Sequence, residues 1–250
     1  DINNNSNNPV INLRAWGEEP ETVKSLTCAF QRGVSRSKML TCAKHFPGHG
    51  NSEVDSHLDL PEIRNDLSEL EKFELIPFIS LINQGVNSVM VGHLLFSMID
   101  PIYPATLSKN IINDLLRREM NFKGVVISDD PQMEAISSRY KLERIIELMI
   151  CAGVDIFCVG NNLVYDPDIV KKIHHSVLRL LKNKKIDVSM LEKSNERSLV
   201  QLHFDEKWIF NDYIEKFINI EPTEIELLDF IKEILKKNGV LAVVTFHSIE

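Results

Sequence analysis

No apolar run in this 250-residue sequence approaches the roughly 18 residues that a membrane-crossing helix needs, so no membrane partner is expected. Its four cysteines, Cys28, Cys42, Cys151 and Cys158, form no CxxC pair and show no metal-ligand spacing. Reduced, buried thiols and a cytoplasmic setting are the expectation from that usage. Basic residues are not in excess either. The formal net charge of -8 argues against nucleic acid as a partner, because phosphate recognition wants clustered Lys and Arg. No glycine-rich phosphate fingerprint follows any strand-like run, which weakens a nucleotide-binding open sheet. An initiating methionine is missing too: the chain opens on the polar run Asp1 to Asn8 and closes on Phe246 to Glu250 straight after an apolar stretch. Neither end reads as a natural domain edge. What remains is ordinary for a globular protein, with 44% hydrophobic and 26% charged residues and enough chain to bury a sizeable core.

Four apolar runs stand out: Met39 to Phe46, Ser88 to His93, Gly124 to Ser128 and Val154 to Val159. Each is nearly continuously apolar, as expected of parallel strands covered on both faces. Helical patterns lie between them. Pro20 to Arg32 has a proline in its first turn, where it is tolerated. Ser68 to Glu71 reads as a capping box opening a helix towards Gly85, which Pro77 should kink or break. Ser108 precedes a buried stripe of Ile111, Ile112, Leu115 and Leu116. Asp166-Pro167 begins another helical pattern through Leu181. Alternating strands and helices mean βα units and a parallel sheet. Polar residues gather where the strands end, at Lys44-His45, His93 and Asp129-Asp130. A (β/α) barrel keeps its chemistry at that end. After Leu202 the character changes: Asp212 to Gly239 is charged and helical in pattern, with a capping box at Thr223 to Glu226, and Val240 to Phe246 reads as one more strand.

The densest constellation is Lys44-His45-Phe46-Pro47-Gly48-His49-Gly50 followed by Asp55-Ser56-His57. Its histidines and aspartate are competent metal ligands. Pro47 and two glycines oppose the helix that would bring His45 and His49 onto one face, so no metal site is expected. The second constellation is Gly124-Val125-Val126-Ile127-Ser128-Asp129-Asp130. Adjacent carboxylates at a strand end point in different directions, so at most one faces the mouth of a barrel. Asp130 is the candidate to cap the next helix. Asp129 is then placed to attack an anomeric carbon while a separate acid protonates the leaving oxygen. Asp55-Ser56-His57 offers that acid, since a carboxylate two residues away can orient and polarise the imidazole.

Lys44 to Gly50, Asp55 to His57 and Val125 to Asp130 closely resemble the motifs of family 3 glycoside hydrolases, in the version of the bacterial β-N-acetylhexosaminidases. Supporting matches are Asn8-Pro9-Val10-Ile11, Arg14-Ala15-Trp16-Gly17, Met90 to His93, Pro104 to Ser108 and Ala152 to Asp155. The resemblance runs from Asp1 to about Leu202. It implies an α/β fold forming the C-terminal half of a (β/α)8 barrel, and a retaining glycosidase that removes terminal β-N-acetylglucosamine. By the same resemblance Asp129 is the nucleophile, His57 the acid/base and Asp55 its carboxylate partner, while Lys44, His45 and Arg14 contact the sugar. It implies no metal and no organic cofactor, and peptidoglycan fragments in wall recycling as the carbohydrate substrate. His49 is expected to be structural, and His93 either lines the mouth or packs.

Two departures accompany the resemblance. Four earlier strands, with an aspartate and an arginine that contact sugar, are expected before Asp1 and have no counterpart, so a fragment or inactive remnant is the alternative reading. Pro131 stands where an aliphatic residue is usual. The stretch from Leu235 to Glu250 resembles a late strand of bacterial ribosomal-RNA methyltransferases that use S-adenosylmethionine, without that family's cofactor-binding region. The expected division is therefore a partial barrel over residues 1–202 and an extension of uncertain fold over 203–250, with a short extra α/β tail.

Overall fold

The computed structural model describes residues 1–36, 39–161, 164–202 and 243–245. Its strands are β1 (Cys42–Phe46), β2 (Glu62–Ile63), β3 (Ser88–Val91), β4 (Leu95–Phe96), β5 (Val125–Ser128), β6 (Phe157–Val159) and β7 (Val243–Thr245). β1, β3, β5 and β6 fall within the four apolar runs. β3 lies between β1 and β5, all parallel, and a bridge from Ile127 to Ile156 carries the arc on to β6. β7 pairs in parallel with β6, within the expected Val240 to Phe246 strand. The rest of 203–250, including the Thr223 to Glu226 capping box, lies outside the described residues. Among the described residues the sheet is an open α/β arc of a (β/α) barrel and does not close.

Register explains the two faces of this arc. Ala43, Val89 and Val126 are aligned across β1, β3 and β5, and all three join the core under the helices. Met90 aligns with Ile127 on the opposite face, and both are only half-buried. Leading into and along β1, the alternate residues Leu40, Cys42 and Lys44 are exposed. Cover on both faces, expected from the apolar runs, therefore fails at the edge strand: Leu40 is 42% exposed. Cys42 departs from the buried-thiol expectation for the same reason, although all four cysteines are free thiols.

The helices are α1 (Pro20–Arg36), α2 (Leu67–Lys72), α3 (Leu75–Asn83), α4 (Glu134–Ser137), α5 (Leu142–Ala152), α6 (Ile169–Lys182) and α7 (Val188–Leu202), with a π-helical segment at Asn110–Glu119. The capping box lies two residues earlier than the sequence suggests. Asp66 accepts the Glu69 N–H at 2.9 Å while Glu69 accepts the Asp66 N–H at 2.8 Å. Aspartate caps as well as serine, and starting there turns Leu70 into the core. The expected single helix breaks at Phe73, and Pro77 falls in the first turn of α3, where no N–H is required. Ile111, Ile112, Leu115 and Leu116 are buried as the stripe requires, but the segment closes with a π-type bond from Met120 N to Leu115 O at 2.9 Å. No helix among the described residues is long and apolar enough to cross a membrane.

One buried charge ties these layers together. The Asp155 side chain is 0% exposed and accepts from Arg117 at 2.5 Å, Arg197 at 2.6 Å and the Val126 N–H at 2.9 Å. It joins the π-helical segment, α7 and β5 just before β6. Removing it leaves two guanidinium groups facing each other without their anion. Asp155→Ala is expected to lower the unfolding free energy by about 3–5 kcal/mol in urea titrations. A loss below about 1 kcal/mol would show that the network contributes only as much as a surface pair.

Candidate active site

The carboxyl ends of β1, β3 and β5 meet at one mouth. Asp129 continues the face of Val125 and Ile127. Its N–H donates to Val91 O at 3.1 Å, and its Oδ1 accepts the Asp130 N–H at 3.0 Å. Asp130 turns away, accepting from Gln132 N at 2.9 Å and from Gly160 N at 2.8 Å. It ties the end of β5 to the end of β6, a correction to the helix-capping role expected for it, since α4 begins at Met133 without a side-chain cap. Pro131 takes the second position of the turn closed by Met133 N to Asp130 O at 3.0 Å, where a fixed φ suits the chain.

His93 is fully buried just past β3, with Nδ1 2.8 Å from Thr106 Oγ1 and Nε2 2.9 Å from Asp130 O. A carbonyl only accepts, so Nε2 carries the proton, while the Thr106 hydroxyl beside Nδ1 donates to the Gly92 carbonyl at 2.7 Å. His93 thus braces the turn after Asp129, which resolves the choice between lining and packing.

The loop after β1 is organised by Asp1. Its Oδ2 accepts both the His45 N–H at 2.9 Å and Nδ1–H at 2.8 Å, and its Oδ1 accepts the His49 N–H at 2.9 Å. With Nδ1 protonated, a neutral His45 leaves the lone pair of Nε2 unspent. Asn8 donates to His49 O at 2.7 Å and Gly50 O at 3.0 Å from the same N-terminal segment. Gly50 lies so close to that segment that a Cβ would sit 1.5 Å from Ile2 O. Lys44 is exposed on the concave face, and Arg14 is exposed in a short 3-10 turn. The charges of both act on His45, and both line one cavity with His45 and Asp1.

Asp55 accepts the His57 N–H at 2.8 Å and Nδ1–H at 2.7 Å through one oxygen, Oδ1. The pair is partly exposed, 30% for Asp55 and 43% for His57. Burial raises the Asp55 carboxyl, but its bonds to His57 outweigh that and hold it below the usual carboxylate range. Asp129 follows the same pattern. Burial pushes it up, while His93, His45, the Asp130 N–H and His57 together hold it down. The Asp129 carboxylate is therefore the anion on which the imidazoles from three separate segments act.

Of the residues expected from the sequence, the charges of His45 and His57 act on Asp129, Asp55 holds His57, and Lys44 and Arg14 act on His45. Asp1, Asn8 and Ser56 were not expected. Ile2 was the available signal: an isolated apolar residue in a polar run, here buried. No group of three or more His, Cys, Asp and Glu side chains among the described residues is placed to hold a metal ion. Nδ1 of His45, Nε2 of His49 and Nδ1 of His57 are each taken by a different partner.

Comparison with known proteins places this geometry. Residues 1–200 match the glycosyl hydrolase family 3 N-terminal domain. A beta-hexosaminidase of Neisseria meningitidis is 41% identical over 167 residues, covering 67% of this chain and 45% of that protein. A glycoside hydrolase family 3 beta-N-acetylglucosaminidase from Paenibacillus superposes with a TM-score of 0.76 at 35% identity, over 81% of this chain and 38% of that one. The beta-N-acetylglucosaminidase from Thermotoga maritima gives 0.67 at 31% identity, over 78% of this chain and 41% of that one. The chain spans less than half the length of each of these relatives.

The electrostatics of the site can be tested without a substrate. Burial pushes His45 down to about 3 and His49 down to about 4, and it lowers His93 as well. Unfolded histidine titrates near about 6.5, so below that pH the unfolded chain binds protons that the folded chain refuses. The stability these neutral rings permit is whole above pH ~6.5 and is lost as pH falls towards the folded values. The urea midpoint should therefore drop steadily from pH 7 to pH 5, before the carboxylates begin to titrate. A flat profile over that range would mean that the imidazoles are not buried in neutral form.

Proposed function

Because the chain belongs to glycosyl hydrolase family 3 through its residues 1–200, we propose that this site cleaves terminal β-N-acetylglucosaminides with retention of configuration. The observation that carries the reading is an Asp129 carboxylate kept ionised at a strand end, within reach of the charge of an imidazole that a second carboxylate orients.

Asp129 attacks the anomeric carbon and forms a covalent glycosyl-enzyme. His57 acts as the imidazolium: Nδ1–H stays on Asp55 while Nε2–H gives its proton to the departing oxygen. The neutral ring then takes a proton from the water that releases the sugar. Asp55 stabilises the charged ring in the first step and fixes its orientation in both. Nε2 of His45 accepts from a sugar hydroxyl, while Lys44 and Arg14 donate to others. An anion and a proton donor suffice for an oxocarbenium-like transition state, so the scheme uses no metal or organic cofactor. In this reading the substrate is a peptidoglycan fragment bearing a non-reducing N-acetylglucosamine, handled in the cytoplasm during wall recycling. Residues 1–202 carry the chemistry, and 203–250 are an extension outside it.

A rival reading is that the motifs persist without activity. One assay separates the two. The chain should release nitrophenol from p-nitrophenyl β-N-acetylglucosaminide, and Asp129→Asn should reduce kcat by about 10⁴-fold or more. Nuclear magnetic resonance of the first-formed sugar should show the β anomer. Absence of release by soluble wild-type chain would sink the enzymatic reading, and an α product would sink the retaining mechanism.

A further inference from the structure

His49 takes no part in the chemistry above, yet it touches both halves of the site. It is 1% exposed. Its N–H is held by Asp1 and its carbonyl by Asn8, and its ring lies edge-on to His45 with centroids 5.7 Å apart. From that fixed position Nε2 reaches Ser56 Oγ at 3.1 Å. Ser56 is itself only 2% exposed, although Asp55 and His57 on either side of it are open to solvent.

Loop residues 53–59 have few side-chain ties to the rest of the protein. Asn5 to Glu53 at 3.4 Å and Arg139 to Asp59 at 3.0 Å are both exposed, where water competes for the same groups. The His49–Ser56 bond is the buried tie among those described. We propose that His49 and Ser56 form a peg that seats the Asp55–His57 loop against the rigid floor holding Asp129, so that His49 is a positioning residue for proton transfer. The proposal rests on the acid/base assignment of His57. Burial keeps the His49 ring neutral, so the peg is a neutral bond to a hydroxyl. Such a bond holds the loop in register and lets it lift for product release without separating charges.

The test compares wild type, Ser56→Ala and His57→Ala on two substrates by kcat/KM, which reports the first bond cleavage. One is 2,4-dinitrophenyl β-N-acetylglucosaminide, whose leaving group departs without a proton. The other is a β-linked N-acetylglucosamine disaccharide, whose leaving group needs one. Ser56→Ala should lose about tenfold to a hundredfold on the disaccharide and change little on the aryl substrate. Equal losses on both substrates, or none, would overturn the peg. Amide hydrogen exchange gives a readout independent of activity: Ser56→Ala should speed exchange across residues 53–59 and leave β1 and β5 as protected as before. Unchanged exchange in the loop would also overturn it. Should His57→Ala affect both substrates alike, the acid/base assignment fails, and the exchange comparison alone decides whether the peg exists.

Discussion

β1 is irregular between Ala43 and Phe46, and past it the chain runs buried through Pro47, Gly48 and Gly50 with no strand or helix to satisfy its N–H groups. Each such group left unpaired in the interior would cost about 1–3 kcal/mol. The Asp1 carboxylate supplies the missing acceptors, taking two backbone N–H groups and one ring N–H on its two oxygens. Charge-assisted bonds of this kind are stronger than neutral ones and fix direction as well as distance. His45 and His49 owe their orientations to this arrangement. Through them so do the unpaired Nε2 of one and the loop contact of the other.

The same frame sorts charge by depth. His45, His49 and His93 are buried and neutral, so their contribution is directional hydrogen bonding. Lys44 and Arg14 are exposed and His57 is partly exposed, so all three stand where charge is tolerated. Asp129 lies between the two groups. Its backbone is fixed by Val91 and its carboxylate by Asp130, so in the proposed scheme little reorganisation accompanies the shift of charge. His57, in contrast, sits on a segment with few buried ties. The floor is rigid by strand pairing, while the loop holds its place through side chains.

Much of this was legible in the sequence, because periodicity reports burial and strand alternation reports direction. The order Val125, Ile127, Asp129 already placed one carboxylate of the pair on the concave face, and Asp55-Ser56-His57 spacing already allowed the dyad. Other features follow from contacts remote in the chain. β2 and β4 are two residues each, too short for any pattern, and exist because Glu62 and Ile63 meet Leu95 and Phe96. Asp1 looked like part of a polar run, since nothing local reveals that its partners lie more than forty residues away. The exposure of Cys42 followed from an uncovered edge, a property of strand order that a single run cannot report. The π-type closure of Asn110–Glu119 differs from an α-helix by one hydrogen-bond step, and the buried stripe is the same in both.

The segment from Glu53 to Asp59 has a further consequence for how such a site can diversify. Its flanks are exposed while Ser56 alone reaches inward, so substitutions or insertions on either side of that serine need not disturb the sheet. In the proposed scheme, preference for the departing group and grip on the retained sugar are then borne by separate parts of the chain. A lineage, or a designer, can exchange the first while inheriting the second intact.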